Sequence, residues 1–362
     1  MQCPVSQAPA RPRSPALTLG EIVRAHGHEL AGALTPEQGS ALAAIAACRT
    51  AVLGGHVAKC EQCGEQVHFY NSCRTRHCPQ CQGLAEARWV EDRRKDLLST
   101  EYFHVVFTIP SELHPLFRLN PARAYGLLLS SASWALLQLA ADPKLLGAQL
   151  GVMAVLHTWT QTLAYHPHVH CVVPGGGPSL DGSHWVQSRP GFLLPTRPLA
   201  KLFAGRLLSA LDDSIASGEL LTAGETDPRR CLKRAARKRW NVHAKPSFAG
   251  PQHVIAYLGR YTHRIAISNH RLERLQDGQV TFRYKDRANG DRPRHLTLPA
   301  ADFLRRYLQH VLPSGFVRIR YYGGLSHPRR RRWLEQARRL LEQAGIPPLP
   351  QPAPTPEHET WQ

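Results

Sequence analysis

The run His166-Pro167-His168-Val169-His170-Cys171-Val172-Val173, followed by a glycine triplet, constrains the fold more than any other stretch of this chain. Side chains alternate across an extended strand, so His168 and His170 share one face, while Val169, Cys171 and Val173 share the other. Such a strand belongs in a sheet with one face packed on a core and the other carrying imidazoles. Two neutral imidazoles at this spacing are ready ligands for a divalent metal once a third donor joins them. The alternative is a strand whose histidines only meet solvent, and the spacing alone does not choose between the two.

Charge narrows the partners. The chain has 362 residues, 43% of them hydrophobic, and a formal net charge of +18. That length allows two domains with proper cores. Such a basic excess points to a polyanion, most commonly nucleic acid; a basic protein that merely stays soluble is the alternative. The excess gathers in Arg229, Arg230, Lys233, Arg234, Arg237, Lys238 and Arg239, and again in Arg329–Arg332. No apolar run reads as a bilayer span, and the first residues lack an export signal, so a cytoplasmic protein with no membrane partner is expected.

The nine cysteines are mostly clustered rather than spread as a disulfide framework, which fits a reducing compartment and metal-bound thiolates. Cys60-Glu61-Gln62-Cys63 and Cys78-Pro79-Gln80-Cys81 form two knuckles at zinc-ribbon spacing. Four thiolates fit tetrahedral Zn²⁺, and a module this poor in apolar residues needs a staple. Cys73 either replaces one of the four or joins His68 or His77 in a second site. A redox role for the knuckles is the weaker alternative. A closed four-ligand site leaves no open position, so the module is a nucleic-acid reader or a fold staple rather than a catalyst.

Periodicity and turn signals order the rest. Residues 17–48 read as helical, and the cysteine module follows from His56 to Gln82. Helices are expected over Ala85–Ser99, Pro121–Ala141, Leu199–Ser217, Arg229–Trp240, Pro251–Tyr261, Ala300–Val311 and Arg330–Gln343. Strands are expected over Tyr102–Ile109, Val152–Leu163, His168–Pro174, Arg264–Ser268, Gln279–Lys285 and Phe316–Tyr322. The short Ala164–Pro167 link makes the second and third of these an antiparallel hairpin, and Asp277-Gly278 is a turn signal before Gln279. Irregular mixing of helices and strands indicates an α+β fold rather than a doubly wound one.

A second chemical signal is Tyr257-Leu258-Gly259-Arg260-Tyr261-Thr262-His263-Arg264. Tyr257 and Tyr261 stand one helical turn apart and share a face, with His253 one turn earlier. An aromatic stripe in a core is the usual role of such a pair. Against it, Ile255 and Leu258 supply other apolar positions, and Arg260 and Arg264 lie close to the phenols. A free phenol with a pKa near 10 is a weak nucleophile; a neighbouring guanidinium favours phenolate, and a metal on the target phosphate makes phosphorus easier to attack. Paired histidines, a divalent ion and a tyrosine are the parts for cutting a phosphodiester by covalent capture.

These residues resemble a known family. His168-Val169-His170 matches the HUH motif (U being any hydrophobic residue) of single-strand endonucleases. Leu156–Gln161, His166–Gly177 and Tyr257–Asn269 look like the corresponding motifs of rolling-circle insertion-sequence transposases with two tyrosines, the IS91 family. Asn71–Cys81 resembles that family's N-terminal zinc-binding domain. The resemblance covers roughly residues 20–325, with three motifs in the right order.

The resemblance implies an HUH-endonuclease-like antiparallel sheet flanked by helices, preceded by a small zinc-ribbon-like module. It divides the chain into a lead-in (1–16), a helical zinc-binding domain (17–99), a nuclease domain (100–325) and a basic helix with a Pro-rich tail (326–362). It implies that His168 and His170 bind Mg²⁺ or Mn²⁺ with a third polar ligand, Gln161 on the neighbouring strand or else His253. His157, His166 and His263 are candidates to back that site through hydrogen bonds. Tyr257 or Tyr261 would form a 5′-phosphotyrosine and release a 3′-hydroxyl for host replication to extend; the other tyrosine would cut the second end or the target. The implied partners are single-stranded DNA at insertion-sequence ends, target DNA and the host replication machinery. Arg260, Arg264, Lys233, Arg234, Arg237, Lys238 and Arg239 would contact the DNA. A plasmid replication initiator or relaxase of the same chemistry is the near rival, and a non-catalytic zinc-dependent DNA-binding regulator the distant one. Target sequence and oligomeric state stay open.

Overall fold

Threonines open the first two helices. Thr18 with Glu21, and Thr35 with Gln38, form reciprocal capping boxes ahead of α1 (Leu19–His26) and α2 (Pro36–Ala47). The computed structural model describes residues 17–349 except 31, 33, 62, 223–226, 247–258, 260–264 and 287–288. The other helices described are α3 (Gly83–Arg94), α4 (His114–Leu119), α5 (Pro121–Ala141), α6 (Thr196–Ala216), α7 (Pro228–Ala236), α8 (Ala300–Leu308) and α9 (Arg330–Gln343). The strands are β1 (Gly55–Lys59), β2 (Gln66–Tyr70), β3 (Tyr102–Thr108), β4 (Gly151–Trp159), β5 (Tyr165–Pro174), β6 (Gly176–Pro178), β7 (Trp185–Gln187), β8 (Asn241–Pro246), β9 (Leu272–Gln276), β10 (Gln279–Asp286), β11 (Arg292–Pro299) and β12 (Ile319–Gly323).

The central element is a five-stranded antiparallel sheet in the order β12-β4-β5-β3-β8. Its α+β character and the β4–β5 hairpin agree with the sequence pattern. Phe103, Val105 and Phe107 of β3, with Val169, Cys171 and Val173 of β5, are buried on one face against α5 and α6. Phe107 meets Phe203 edge-on at 5.0 Å, and Phe203 meets Trp240 at 5.2 Å. Truncating either phenylalanine to alanine would cost about 3–5 kcal/mol. The register slips by one residue between His157 and Trp159, where Tyr165 pairs with Trp159. Pro167, which has no N–H for a ladder bond, sits in that slip.

Helix α5 corrects one expectation. By length and composition it could cross a membrane, yet Leu128, Leu129 and Leu136 are fully buried in the sheet's core. Its apolarity is that of a core helix.

A second core joins α1, α2 and α8 to the three-stranded sheet β11-β10-β9 through Ile22, Ile45, Phe282, Phe303 and Tyr307. Asp277 (φ 50°) and Gly278 (φ 69°) both take positive φ between β9 and β10, as a two-residue I′ turn requires. Cys48 and Cys78 belong to this same core. α9 closes the described chain, packing Trp333 and Leu334 with Leu98 and Trp185.

Two further expectations are corrected. Residues 265–268 are irregular rather than a strand, because Ala266 takes φ 60° while Ile265 and Ile267 plug into the second core. The basic helix stops at Ala236, where the Trp240 indole N–H donates to the Ala235 carbonyl and turns the chain into β8. The helix expected over Pro251–Tyr261 lies outside the described residues, Gly259 excepted.

Candidate metal centres and active site

Strand register decides which histidines meet. His157 pairs with His168 across β4 and β5, while β3 places Val106 against His170 and Thr108 against His168. All these side chains lie on the sheet face opposite the phenylalanine core. Ring nitrogens of His157, His168 and His170 lie within 4.8 Å of one another. His157 and His170 are buried and His168 is half-buried, so the group opens to solvent at His168.

Hydrogen bonds set the ring orientations. The His168 Nδ1–H donates to the His166 carbonyl at 2.6 Å, which leaves Nε2 with its lone pair. His170 Nδ1 lies 2.6 Å from His104 Nε2, with the two rings nearly coplanar at 7°. If His170 ligates through Nε2, its Nδ1 carries the proton and His104 accepts it. Trp159 stacks on His157 at 4.6 Å and 20°, and the Arg318 guanidinium lies 6.0 Å from the Trp159 ring. Three nitrogens backed by such partners, with one side open, could hold a divalent cation.

Gln161, expected on the strand beside His168, sits in the turn beyond β4, where its carbonyl accepts from Arg271. His157, expected only to back the site, occupies the strand position opposite His168. The reason is register, a property of strand pairing that spacing along the chain does not carry. His104 was missed altogether. Its signal was available, since it falls on the polar parity of the alternating strand Tyr102–Thr108, whose burial alternates accordingly.

His253, Tyr257, Arg260, Tyr261 and Arg264 lie outside the described residues. Gly259, midway between the tyrosines, is described and buried. A Cβ there would meet the Val90 side chain at 2.3 Å and that of Glu86 at 3.6 Å, so only glycine fits against α3. α3 packs Trp89 and Val90 with Met153, Val172 and Tyr321. Pairing of Val172 with His104 and Met153, and of Met153 with Tyr321, puts those three on the histidine face. Gly259 therefore abuts the helix that covers this face.

The cysteines converge differently from expectation. Sγ atoms of Cys48, Cys73, Cys78 and Cys81 lie within 4.8 Å of one another. Cys78 and Cys81 are joined by Cys73 and Cys48 in place of Cys60 and Cys63, which sit at the tip of the β1–β2 hairpin. There the Gly64 N–H donates to the Cys60 carbonyl at 2.8 Å. The hairpin explains the exchange: Arg49 donates to the Asn71 carbonyl at 3.1 Å and Asn71 to the Gly54 carbonyl at 3.0 Å, so its closed base brings Cys48 beside Cys73.

This set fits zinc. Cys73 and Cys81 sulfurs are 3.7 Å apart. A tetrahedron with Zn–S bonds of about 2.3 Å has edges of about 3.8 Å. Hydrogen bonding from Cys78 draws the Cys81 thiol down to about 5, while burial pushes Cys73 up to about 12. Four sulfurs this close, two of them on buried cysteines, ionise together only around a cation. The adjoining loop is fastened to the rest of the molecule. Arg76 donates to the Pro313 carbonyl at 2.7 Å, and His77 Nε2 accepts from the Leu312 N–H at 3.3 Å.

The basic segment is solvent-facing. Leu232 and Ala235 bury the inner side of α7, while Lys233, Arg234, Arg237, Lys238 and Arg239 are exposed. Lys238 pairs with Glu112 at 3.0 Å, and the Glu112 carboxyl is held below its usual range by its own backbone N–H and by Lys238. The chain then enters β8, whose Asn241, His243 and Lys245 pair with Thr108, Val106 and His104 on the histidine face.

Known proteins resemble this chain. The family model described as "Putative transposase" matches residues 151–332, a span holding all three clustered histidines. The model described as "Transposase zinc-binding domain" matches residues 22–109, a span holding all four clustered cysteines. A protein of Sinorhizobium fredii named as a putative transposase is 48% identical over 342 residues, covering 92% of this chain and 85% of that one. The transposase for insertion sequence element IS801 of Pseudomonas savastanoi pv. phaseolicola is 30% identical over 321 residues, covering 84% of this chain and 74% of that one. The chain belongs to the IS91/IS801 family of transposases. No solved structure matches this transposase. The four-cysteine cluster lies within its zinc-binding domain.

Proposed function

We propose that this transposase cuts and rejoins single-stranded DNA at insertion-sequence ends, with Tyr257 and Tyr261 as nucleophiles beside a divalent cation held by His157, His168 and His170. The observation that carries the reading is the convergence of three ring nitrogens within 4.8 Å on the sheet face opposite the main core, accessible at His168. The match of the chain to two transposase family models supports it. Mg²⁺ or Mn²⁺ there would neutralise and polarise the scissile phosphate.

The chain's own groups do the rest. The phenolic oxygen of one tyrosine attacks phosphorus; the 3′-oxygen leaves as a hydroxyl, and a 5′-phosphotyrosine bond forms. That bond keeps the energy of the phosphodiester, so rejoining needs no nucleotide triphosphate. A guanidinium beside the phenol, from Arg260 or Arg264, favours its ionised form. The second tyrosine makes the second cut, and host replication extends the freed 3′-hydroxyl. Lys233, Arg234, Arg237, Lys238 and Arg239 would neutralise backbone phosphates, giving single-strand binding a strong salt dependence. Zinc on Cys48, Cys73, Cys78 and Cys81 would hold the N-terminal module in shape. These steps belong to a cytoplasmic protein working on the cell's DNA.

The test uses labelled single-stranded DNA from an element end with Mg²⁺ or Mn²⁺. A covalent protein–DNA adduct is expected from the wild type and none from Tyr257→Phe/Tyr261→Phe. An adduct persisting in that double variant would overturn the nucleophile assignment. Binding without any adduct would favour the non-catalytic regulator.

A further inference from the structure

A cavity of about 560 Å³ lies outside the histidine cluster, between the zinc-module hairpin, the Cys78–Cys81 loop and residues 268–270. One wall is β2 of the zinc-module hairpin, with His68 and Tyr70. These two alternate residues share a strand face, and their rings lie 6.4 Å apart at 29°. Tyr70 is a large aromatic left 39% exposed. Arg49 fixes the end of this wall by donating to the Tyr70 carbonyl at 3.2 Å. The floor is Gln80 and its neighbours, between two of the clustered cysteines and α3. The far wall is Ser268 and His270, at the end of the paired-tyrosine motif. Asn269 anchors that wall, its side-chain oxygen accepting from the Leu19 N–H at 3.1 Å.

The lining has a consistent chemistry. It offers a guanidinium, two imidazoles, a phenol and a phenyl ring, three side-chain amides and two aliphatic hydroxyls, and no carboxylate is among the residues described there. Aromatic faces beside a cationic group suit a flat heterocycle attached to an anion. The amides and hydroxyls add donors and acceptors for base edges. The volume lies within the range of small-ligand pockets and is large enough for one nucleotide.

We infer that this cavity is a nucleotide pocket: it takes one unpaired base of the single-stranded DNA, stacked on His68 and Tyr70, with the adjoining phosphate against Arg49. The inference rests on the single-strand reading of the function and adds where a base is held outside the cleavage centre. It also gives the zinc module a part in substrate binding, because its hairpin supplies the stacking wall.

The experiment uses the full-length, zinc-loaded protein and a single-stranded oligonucleotide from an element end carrying 5-iodouracil at successive positions. Irradiation is expected to cross-link one position to the peptide holding Tyr70. Tyr70→Ala/Arg49→Ala should lose that cross-link and weaken binding of the same oligonucleotide by roughly ten- to a hundredfold, whereas Tyr70→Phe keeps both. Zinc content and the thermal unfolding midpoint, measured on each variant, establish that the fold is intact. Wild type that binds the oligonucleotide but gives no cross-link to this peptide, with Tyr70→Ala/Arg49→Ala binding equally well, overturns the pocket and leaves the proposed function standing. Wild type that fails to bind single strands overturns both. Should Tyr70→Ala/Arg49→Ala misfold, Tyr70→Ala and Gln80→Ala separately serve the same comparison.

Discussion

The four-sulfur and three-histidine clusters are both groups of ligand atoms converging within 4.8 Å, yet their settings differ. The sulfurs come from a helix end and a loop drawn together by a closed hairpin, adjoin the second core, and number four. The histidines come from two paired strands, reach solvent at His168, and number three, with His104 and the His166 carbonyl behind them. A filled tetrahedron holds a fold, while an incomplete set on a rigid sheet leaves room for a phosphate. Ligand count and access, rather than the presence of ligands, separate a staple from a reaction centre.

The largest effect expected from this contrast concerns folding. Cys48→Ser should remove the bound zinc of the cluster and lower the thermal unfolding midpoint sharply; Cys60→Ser should keep that zinc. Metal analysis and calorimetry on both variants check it. Loss of the cluster's zinc from Cys60→Ser alone would restore the spacing-based ligand set. By contrast His168→Ala/His170→Ala should abolish the covalent adduct while zinc content stays at wild type, and the unfolding midpoint should fall less than in Cys48→Ser, since no cysteine of the cluster is touched.

A smaller effect is expected one step behind the histidines. His104→Phe keeps a ring of similar shape but offers His170 no acceptor. Mn²⁺ affinity should fall about ten- to a hundredfold, measured by titration on zinc-loaded protein. An unchanged affinity would mean that His170 is oriented without it.

The smallest effect separates the clustered histidines from an isolated, fully buried one. His310 is enclosed, facing the Thr158 hydroxyl at 3.1 Å and the Leu163 carbonyl at 3.2 Å, and burial lowers its pKa from 6.5 to about 4. Its depressed value means that the unfolded chain takes up the proton first. The stability it contributes is present above about pH 6.5 and is lost as pH falls through about 4. Between pH 7 and 4.5, with zinc in excess, the unfolding midpoint of His310→Gln should fall less steeply than that of the wild type. Parallel slopes would remove His310 from the account.

Much of this was legible along the chain because it depends on local chemistry. The Pro121–Ala141 and Arg330–Gln343 helices match their expected bounds, and the β4–β5 hairpin follows from two apolar runs with a short link. The centre was legible as far as His168 and His170, which alternate on one strand. What failed depends on contacts between distant segments. Register sets His157, not Gln161, opposite His168, Cys48 joins Cys73 through the closure of a hairpin, and His104 comes from a strand two steps across the sheet from His157. Strands β9 and β11 escaped notice because their exposed, charged faces mask the alternation.

Whether the three histidines form the reaction centre is tested most directly by the Mn²⁺ dependence of covalent adduct formation in wild type, His157→Ala and Gln161→Ala. With His157 as the third ligand, Gln161→Ala follows the wild-type curve, whereas His157→Ala requires at least about tenfold more Mn²⁺ or forms no adduct. A His157→Ala curve that overlays the wild type would contradict the account.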